Sequence, residues 1–258
     1  IQNVPADTAV AEYAPGQYEI NLHHVADAMA ACDQAILLKR IIKRAAERFG
    51  MDATFMAKPY ADRSGSGTHI HVSMLDGDGR NVFQDPDPAG SASLSYAIAG
   101  LLDAMPESLA ILAPNANSYR RFQPGNFVPV TPCWGVNNRT TALRIPAGEP
   151  ASRRIEHRVA GADANPYLVV ASVLAGMHHG MANEIEPPPP SEGDVAAEEG
   201  TLPGSWLHAI EALERGTILP GYLGEDFLRV FAACRRHERL SYEANVSPLE
   251  IEWYLRTV

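Results

Sequence analysis

The sequence predicts an α+β fold, an antiparallel sheet flanked by helices, within one domain. Three observations lead there. Short alternating segments and longer helical ones follow one another without the strand–helix–strand rhythm of a doubly wound sheet. The Pro- and Gly-rich breaks are short, and none divides the 258 residues cleanly. No self-similarity recurs at a period of about 20–50 residues, which argues against a solenoid or propeller.

The elements follow in order. Residues 10–22 alternate, with Tyr18, Ile20 and Leu22 on one side and Gln17, Glu19 and Asn21 on the other. Pro15-Gly16 interrupts them, so two strand segments meet at a turn or bulge. Asp27 to Phe49 reads as a helix: Ala28, Ala31, Ala35, Leu38 and Ile42 recur at helical spacing, Asp27 is placed to cap, and Gly50 stops it. Strands are expected over Ala53–Lys58 and Thr68–Leu75, separated by the loop Ala61–Gly67. Asp76-Gly77-Asp78-Gly79 fails as a calcium loop, because Asn81 stands where the sixth position requires Gly; it is a hairpin turn. Ser91–Leu112 is an apolar helix, Ala142–Ile145 a short strand and Asn165–Glu184 a long apolar helix opened by Asn165 and Pro166. Pro187–Pro190 is a stiff break, and helices over about Ser205–Arg215 and Gly224–Asn245 follow.

Charge separates the candidate partners. With 21 Lys+Arg against 31 Asp+Glu the net charge is −10, which argues against a broad nucleic-acid surface. The longest apolar stretch, Leu168 to Met177, is half the roughly 20 residues of a membrane span. Cys32, Cys133 and Cys234 are odd in number and widely spaced, which fits a reducing compartment better than a disulfide framework. Cys133 reads as buried. The chain opens Ile-Gln-Asn without a Met or a secretory pattern, and is expected to be a soluble cytoplasmic piece of something longer. The whole-chain charge misleads locally. Arg120, Arg121, Arg139, Arg144, Arg153, Arg154 and Arg158 fall within 39 residues that hold only two acids, Glu149 and Glu156. An even spread would put about three arginines there.

Three groups of residues can carry chemistry. In Gly65-Ser66-Gly67-Thr68-His69-Ile70-His71-Val72-Ser73 the glycines let backbone approach an anion, and alternation puts His69, His71 and Ser73 on one face. That segment alone fits a metal or phosphate site and a polar solvent-facing strand equally well. Glu12 and Glu19 flank the Pro15-Gly16 turn; converging, they would suit a hard cation such as Mg²⁺ or Mn²⁺, and otherwise they are two surface acids. Alternation also aligns Arg154, Glu156 and Arg158. Several guanidiniums around one carboxylate suit a polyphosphate and its metal better than the alternative, a solvated charged strand, since side-by-side like charges cost free energy unless an anion joins them. His178-His179, within an apolar helix, reads as structural, and Trp206, Trp253 and Tyr254 as core or interface aromatics.

Taken together, these segments resemble the C-terminal catalytic domain of the glutamine synthetase family. The resemblance rests on Pro15-Gly16-Gln17-Tyr18-Glu19-Ile20, Phe55-Met56-Ala57-Lys58-Pro59, Gly65 through His71, Pro114 through Pro124, Asn138-Arg139-Thr140, Leu143 through Pro146, Arg154 through Arg158 and Ala164 through Leu168. It implies an ATP-dependent ligase that phosphorylates the γ-carboxylate of glutamate and lets an amine displace the phosphate. By that likeness Glu12 and Glu19 match ligands of one metal, and His69 and Glu156 ligands of a second. Gly65, Arg121 and Arg158 match positions that hold glutamate; Arg139, Arg144 and Arg154 match those that neutralise phosphate, Arg139 and Arg144 taking the catalytic role. His71, Ser73, Arg144 and Arg154 lie on the nucleotide side. The implied cofactors are two or more Mg²⁺ or Mn²⁺ ions per site, with ATP as substrate.

Departures narrow the expectation. Family members that use ammonia carry a glutamate in the flap after Pro-Gly; here the flap reads Pro124-Gly125-Asn126-Phe127, and Phe127 suits the alkyl part of a longer amine. The regulatory tyrosine loop is not recognisable after Pro187, and Ser64 precedes the Gly-Ser-Gly where Asn is common. With His157, Gly161-Ala162-Asp163 and the ending Glu252 through Arg256, this is similar to the γ-glutamylpolyamine synthetase branch. Ordinary glutamine synthetase and a non-catalytic family member are the alternatives. The resemblance also implies that residues 1–258 are the C-terminal part of the catalytic domain, without the N-terminal β-grasp domain and first catalytic strand. The full protein is then expected to form a ring-shaped homo-oligomer, and this piece alone to be inactive.

Overall fold

The alternation near the start of the chain builds a hairpin. In a computed structural model describing residues 4–122, 128–195 and 201–258, β1 (Ala6–Ala11) pairs antiparallel with β2 (Tyr18–Leu22). Gly16 turns the chain at a positive φ of 78°. Asp27 caps α1 (Ala28–Glu47) as expected, its carboxylate accepting from the Met29 and Ala30 amides.

Residues 53–58 form no strand, contrary to expectation. Their backbone has other partners: the Asn117 side-chain amide takes both the N–H and the C=O of Lys58 at 2.9 Å, and Ala57 C=O accepts from Ser66 N. The second expected strand contracts to β3 (Ile70–Val72), with an isolated Leu75–Asn81 bridge beyond it, and residues 76–80 form the expected turn, Asp76 N donating to Arg80 O.

The main sheet runs in the order β3-β6-β5-β4, with β4 Trp134–Val136, β5 Leu143–Ile145 and β6 Ile155–His157. The β3–β6 and β5–β6 pairs are antiparallel. The β4–β5 pair is parallel, so the sheet is mixed, and an antiparallel sheet holds for only two of its three pairings. Asn137, at a positive φ of 51°, starts the tight return between β4 and β5.

The helices cover one another. In α2 (Ala92–Leu112), capped by Ser91, apolar residues recur all round, and α2 is the centre of the core with Ile98, Met105, Leu109 and Ile111 fully enclosed. Each such side chain contributes about 1.5–3 kcal/mol of burial free energy. It packs against α3 (Pro166–Ala182), which opens on Asn165 and Pro166 as expected, and against α4 (Trp206–Arg215). Then come α5 (Pro220–Leu223), α6 (Glu225–Glu243), seated on α4, and α7 (Pro248–Tyr254), which opens on a Ser247–Glu250 capping box. Trp206 is buried, whereas Trp253 and Tyr254 are exposed; Cys133 is half-buried rather than buried. The Trp134 indole donates to Pro188 O, tying the proline run to β4. Among the described residues no helix is long and apolar enough to cross a membrane.

Candidate active site

Sheet register assembles the polar centre. His71 lies directly opposite Glu156 across the β3–β6 pair, and Arg144 lies opposite Glu156 across β5–β6. Three strands therefore present these side chains to one face, while Ile155 and Ile145 point into the core. Glu156 is the hub, only 2% exposed. Its Oε2 accepts from Arg144 Nη1 at 2.7 Å; its Oε1 accepts from Arg158 Nη1 at 2.6 Å and faces His69 Nδ1 at 3.2 Å. Burial would raise the pKa of this carboxyl, but the His69 hydrogen bond and the charges of Arg158, His69 and His71 outweigh it and hold the group well below the usual carboxylate range. His71 accepts from Arg154 Nε at 3.2 Å, and burial together with the cations Arg154, His69 and Arg144 lowers its pKa against the pull of Glu156. His157 points the other way and is held neutral, its pKa brought down by burial to about 4.

The guanidiniums are not saturated. Arg144 Nη2 reaches Asn137 Oδ1 and Arg158 Nη2 reaches Arg139 O, yet the Nε–H of both Arg144 and Arg158 is buried without an acceptor. Two positive groups around one carboxylate leave an excess of donors, the electrostatic signature of a site that takes an anion. Arg139 is exposed, and Ser73 lies one residue beyond the end of β3 rather than on its face as expected.

Arg121 has a different setting. It is 4% exposed and donates to Val159 O and Arg158 O, with burial pushing its pKa down to about 10. It also explains the glycines: a Cβ on Gly65 would sit 2.7 Å from Ala57 O and 2.9 Å from Arg121 Cγ, and one on Gly67 2.6 Å from Arg121 Nη2. The hairpin docks on the same loop, as Gln17 Nε2 donates to Gly65 O at 2.9 Å and Ser66 Oγ at 3.0 Å. By register Glu12 and Glu19 share the hairpin face of Gln17; both are exposed and have no ion-pair partner among the described residues. Phe127 lies outside the described residues. The positioning roles of Gln17, Asn117 and Asp163, whose Oδ2 accepts from Asn115 Nδ2 and Ser118 Oγ, escape sequence reasoning.

The domain model "Glutamine synthetase, catalytic domain" matches residues 1–254. The chain belongs to the glutamine synthetase family. It is 49% identical to gamma-glutamylputrescine synthetase PuuA of Escherichia coli (strain K12), covering 99% of this chain and 54% of that protein. Gamma-glutamylethanolamide synthetase GlnA4 of Streptomyces coelicolor is 36% identical, over 97% of this chain and 53% of its own length. Among solved structures, "Apo GmaS without ligand" superposes with a TM-score of 0.88 at 33% identity, covering 97% of this chain and 59% of that one. The chain thus spans about half the length of the curated relatives it matches.

Ligases of the glutamine synthetase family use ATP and divalent metals, and the donors here suit such ions in kind. A buried carboxylate touches an imidazole at 3.2 Å, and two acids without an ion-pair partner among the described residues sit on the hairpin face whose Gln17 docks on the Gly65–Ser66 loop. Oxygen and imidazole ligands are what Mg²⁺ and Mn²⁺ take. Among the described residues no three His, Cys, Asp or Glu side chains converge on one point.

Proposed function

We propose that this chain is the C-terminal part of the catalytic domain of an ATP-dependent ligase. The enzyme joins the γ-carboxylate of glutamate to an alkyl amine, a polyamine or similar, through a γ-glutamyl phosphate. The observation that carries this reading is the arginine-clamped Glu156 with its two unfilled Nε–H donors, in a chain of this family. Likeness to relatives named for putrescine and ethanolamide supports an alkyl amine as acceptor.

The chain's residues divide the work. Gly65, Arg121 and Arg158 hold glutamate, the last two by guanidinium charge and by shaping the Gly-Ser-Gly loop. Arg139, Arg144 and Arg154 offset the charge that accumulates on the transferring phosphoryl group as the carboxylate oxygen attacks and ADP leaves. His71, held as a neutral acceptor by Arg154, and Ser73 orient the nucleotide. Glu12 and Glu19, and separately His69 and Glu156, hold divalent cations, whose chemistry is to neutralise phosphate charge. The amine nitrogen then attacks the acyl carbon and phosphate departs, with Phe127 packing the alkyl part. The working protein is a ring-shaped homo-oligomer in the cytoplasm, acting without nucleic acid or membrane.

The test is ADP release by the full-length gene product with glutamate, ATP and Mg²⁺, varying ammonia, ethanolamine, putrescine and spermidine. Strong stimulation by a diamine with little from ammonia is expected. Stimulation by ammonia alone overturns the alkyl-amine acceptor, and silence with every amine overturns the ligase.

A further inference from the structure

A strap of residues 187–195 covers the edge of the main sheet. Strand β4 ends the order β3-β6-β5-β4, and the strap lies along its free side. The Trp134 indole donates to Pro188 O at 2.7 Å, and Ser191 N donates back to Trp134 O at 2.8 Å. Residues 187–190 are all proline, which stiffens the approach. Gly135 permits close contact, since a Cβ there would sit 2.9 Å from Ser191 O. Up to this point the strap does what an edge strand needs, which is to be covered.

Its contacts continue past β4, onto the two residues that flank Arg139. Asn138 Nδ2 donates to Gly193 O at 2.8 Å and to Ser191 O at 3.2 Å. Asn138 Oδ1 accepts from Thr140 N at 3.0 Å and Thr140 Oγ1 at 2.7 Å. Both donors and both lone pairs of this one amide are filled. Thr140 Oγ1 in turn accepts from Val195 N at 3.2 Å. From the other side Arg158 Nη2 donates to Arg139 O at 2.9 Å. The backbone of Arg139 is therefore fixed between the strap and one of the arginines that clamp Glu156. Its side chain is exposed, so the guanidinium is aimed by the backbone that carries it. Covering an edge explains none of these bonds, because they lie beyond the strand. Placing a charged group explains them, since a displacement of about 1 Å at a reacting centre can cost about a hundredfold in rate.

We infer that Asn138 and Thr140 are positioning residues, which use the strap to aim Arg139 at the transferring phosphoryl group. This rests on the ligase reading above and extends it to a segment that touches no substrate. The test is steady-state ADP release by the full-length gene product with glutamate, ATP, Mg²⁺ and the most stimulating amine. Arg139→Gln is expected to lower kcat about a hundredfold. Thr140→Val, close in shape but without the hydroxyl, is expected to lower kcat about tenfold with KM for glutamate unchanged, and Thr140→Ser to restore it. Asn138→Ala is expected to lower kcat at least as much. Combined with Arg139→Gln, neither Thr140→Val nor Asn138→Ala lowers kcat further, because a missing guanidinium cannot be misplaced. Hydrogen exchange over residues 191–195 quickens in Asn138→Ala and Thr140→Val but not in Arg139→Gln. The positioning role is overturned by losses that add to that of Arg139→Gln, by a raised KM for glutamate with kcat kept, or by unchanged exchange. Silence of the wild type with every amine overturns the ligase reading instead. The same pairs of variants are then compared in Mg·ATP affinity by calorimetry, where additive losses overturn the positioning role and non-additive losses uphold it.

Discussion

Glu156 shows how one side chain organises a positive site in an acidic protein. Its oxygens are shared by Arg144, Arg158 and His69, so the carboxylate is both their counter-ion and the reason they converge. Glu156→Gln keeps an acceptor but removes the charge, leaving the buried Arg158 and part-buried Arg144 guanidiniums without their counter-ion. That variant is expected to lose about 3 kcal/mol or more in urea unfolding, as broken buried ion pairs do. Gly65 is constrained from the opposite direction. A methyl there meets Ala57 O at 2.7 Å, a backbone atom that cannot swing aside. Gly65→Ala is expected to cost about 1–3 kcal/mol by overpacking and to displace Arg121, read out as lower thermal stability together with loss of ADP release.

Among the elements, the α2–α3 contact is the least forgiving. A Cβ on Gly100 would lie 2.1 Å from Gly176 O and 2.3 Å from Gly180 N, so the two helices touch backbone to backbone. Gly100→Ala must part them, and a fall of about 3 kcal/mol in chemical denaturation is the expected result, far beyond the small gain a Gly→Ala change brings on an exposed helix. By contrast, Asp27→Ala removes only the cap of α1, with an expected loss of about 1 kcal/mol and no change at the sheet face. If that variant abolished ADP release, α1 would have a part in the site beyond support.

For the whole molecule, Glu107 ties the central helix to the segment that leads into α5. Buried at 6% exposure, it accepts from the Ile218 and Leu219 amides, and burial pushes its pKa up despite those bonds. A raised pKa in the folded state favours the protonated form there. Its contribution to stability is therefore full below the unfolded value of about 4.5 and is lost as pH rises through the folded value. Compared at successive pH values from 4 to 7, the Tm of Glu107→Gln is expected to gain on that of the wild type as pH rises. A constant difference across that range would show that Glu107 does not titrate differently on folding.

Local signals were enough for much of this protein. The Asp27 cap, the Asn165-Pro166 start of α3 and the Asp76 turn each depend on a few neighbouring residues and stand where the sequence alone puts them, as does β2, whereas β1 runs Ala6–Ala11 instead of starting at residue 10. The arginine excess between residues 120 and 158 likewise marks a locally positive segment, and Arg144 and Arg158 from it converge on Glu156. Elements whose partners are distant in the chain could not be read so. Residues 53–58 are extended in pattern yet form no strand, because Asn117 takes the Lys58 backbone groups a ladder would have used. The parallel β4–β5 pairing and the burial of Arg121 beneath its two glycines have no local mark either. By itself the sequence determined the five longer helices, though not the short α5 and α7, together with the hairpin turn and the local charge, since propensity, capping and charge act within a few residues. Tertiary structure alone decided which donors meet Glu156 and which are left without acceptors, because hydrogen bonds and ion pairs are settled by through-space distances that no spacing along the chain encodes.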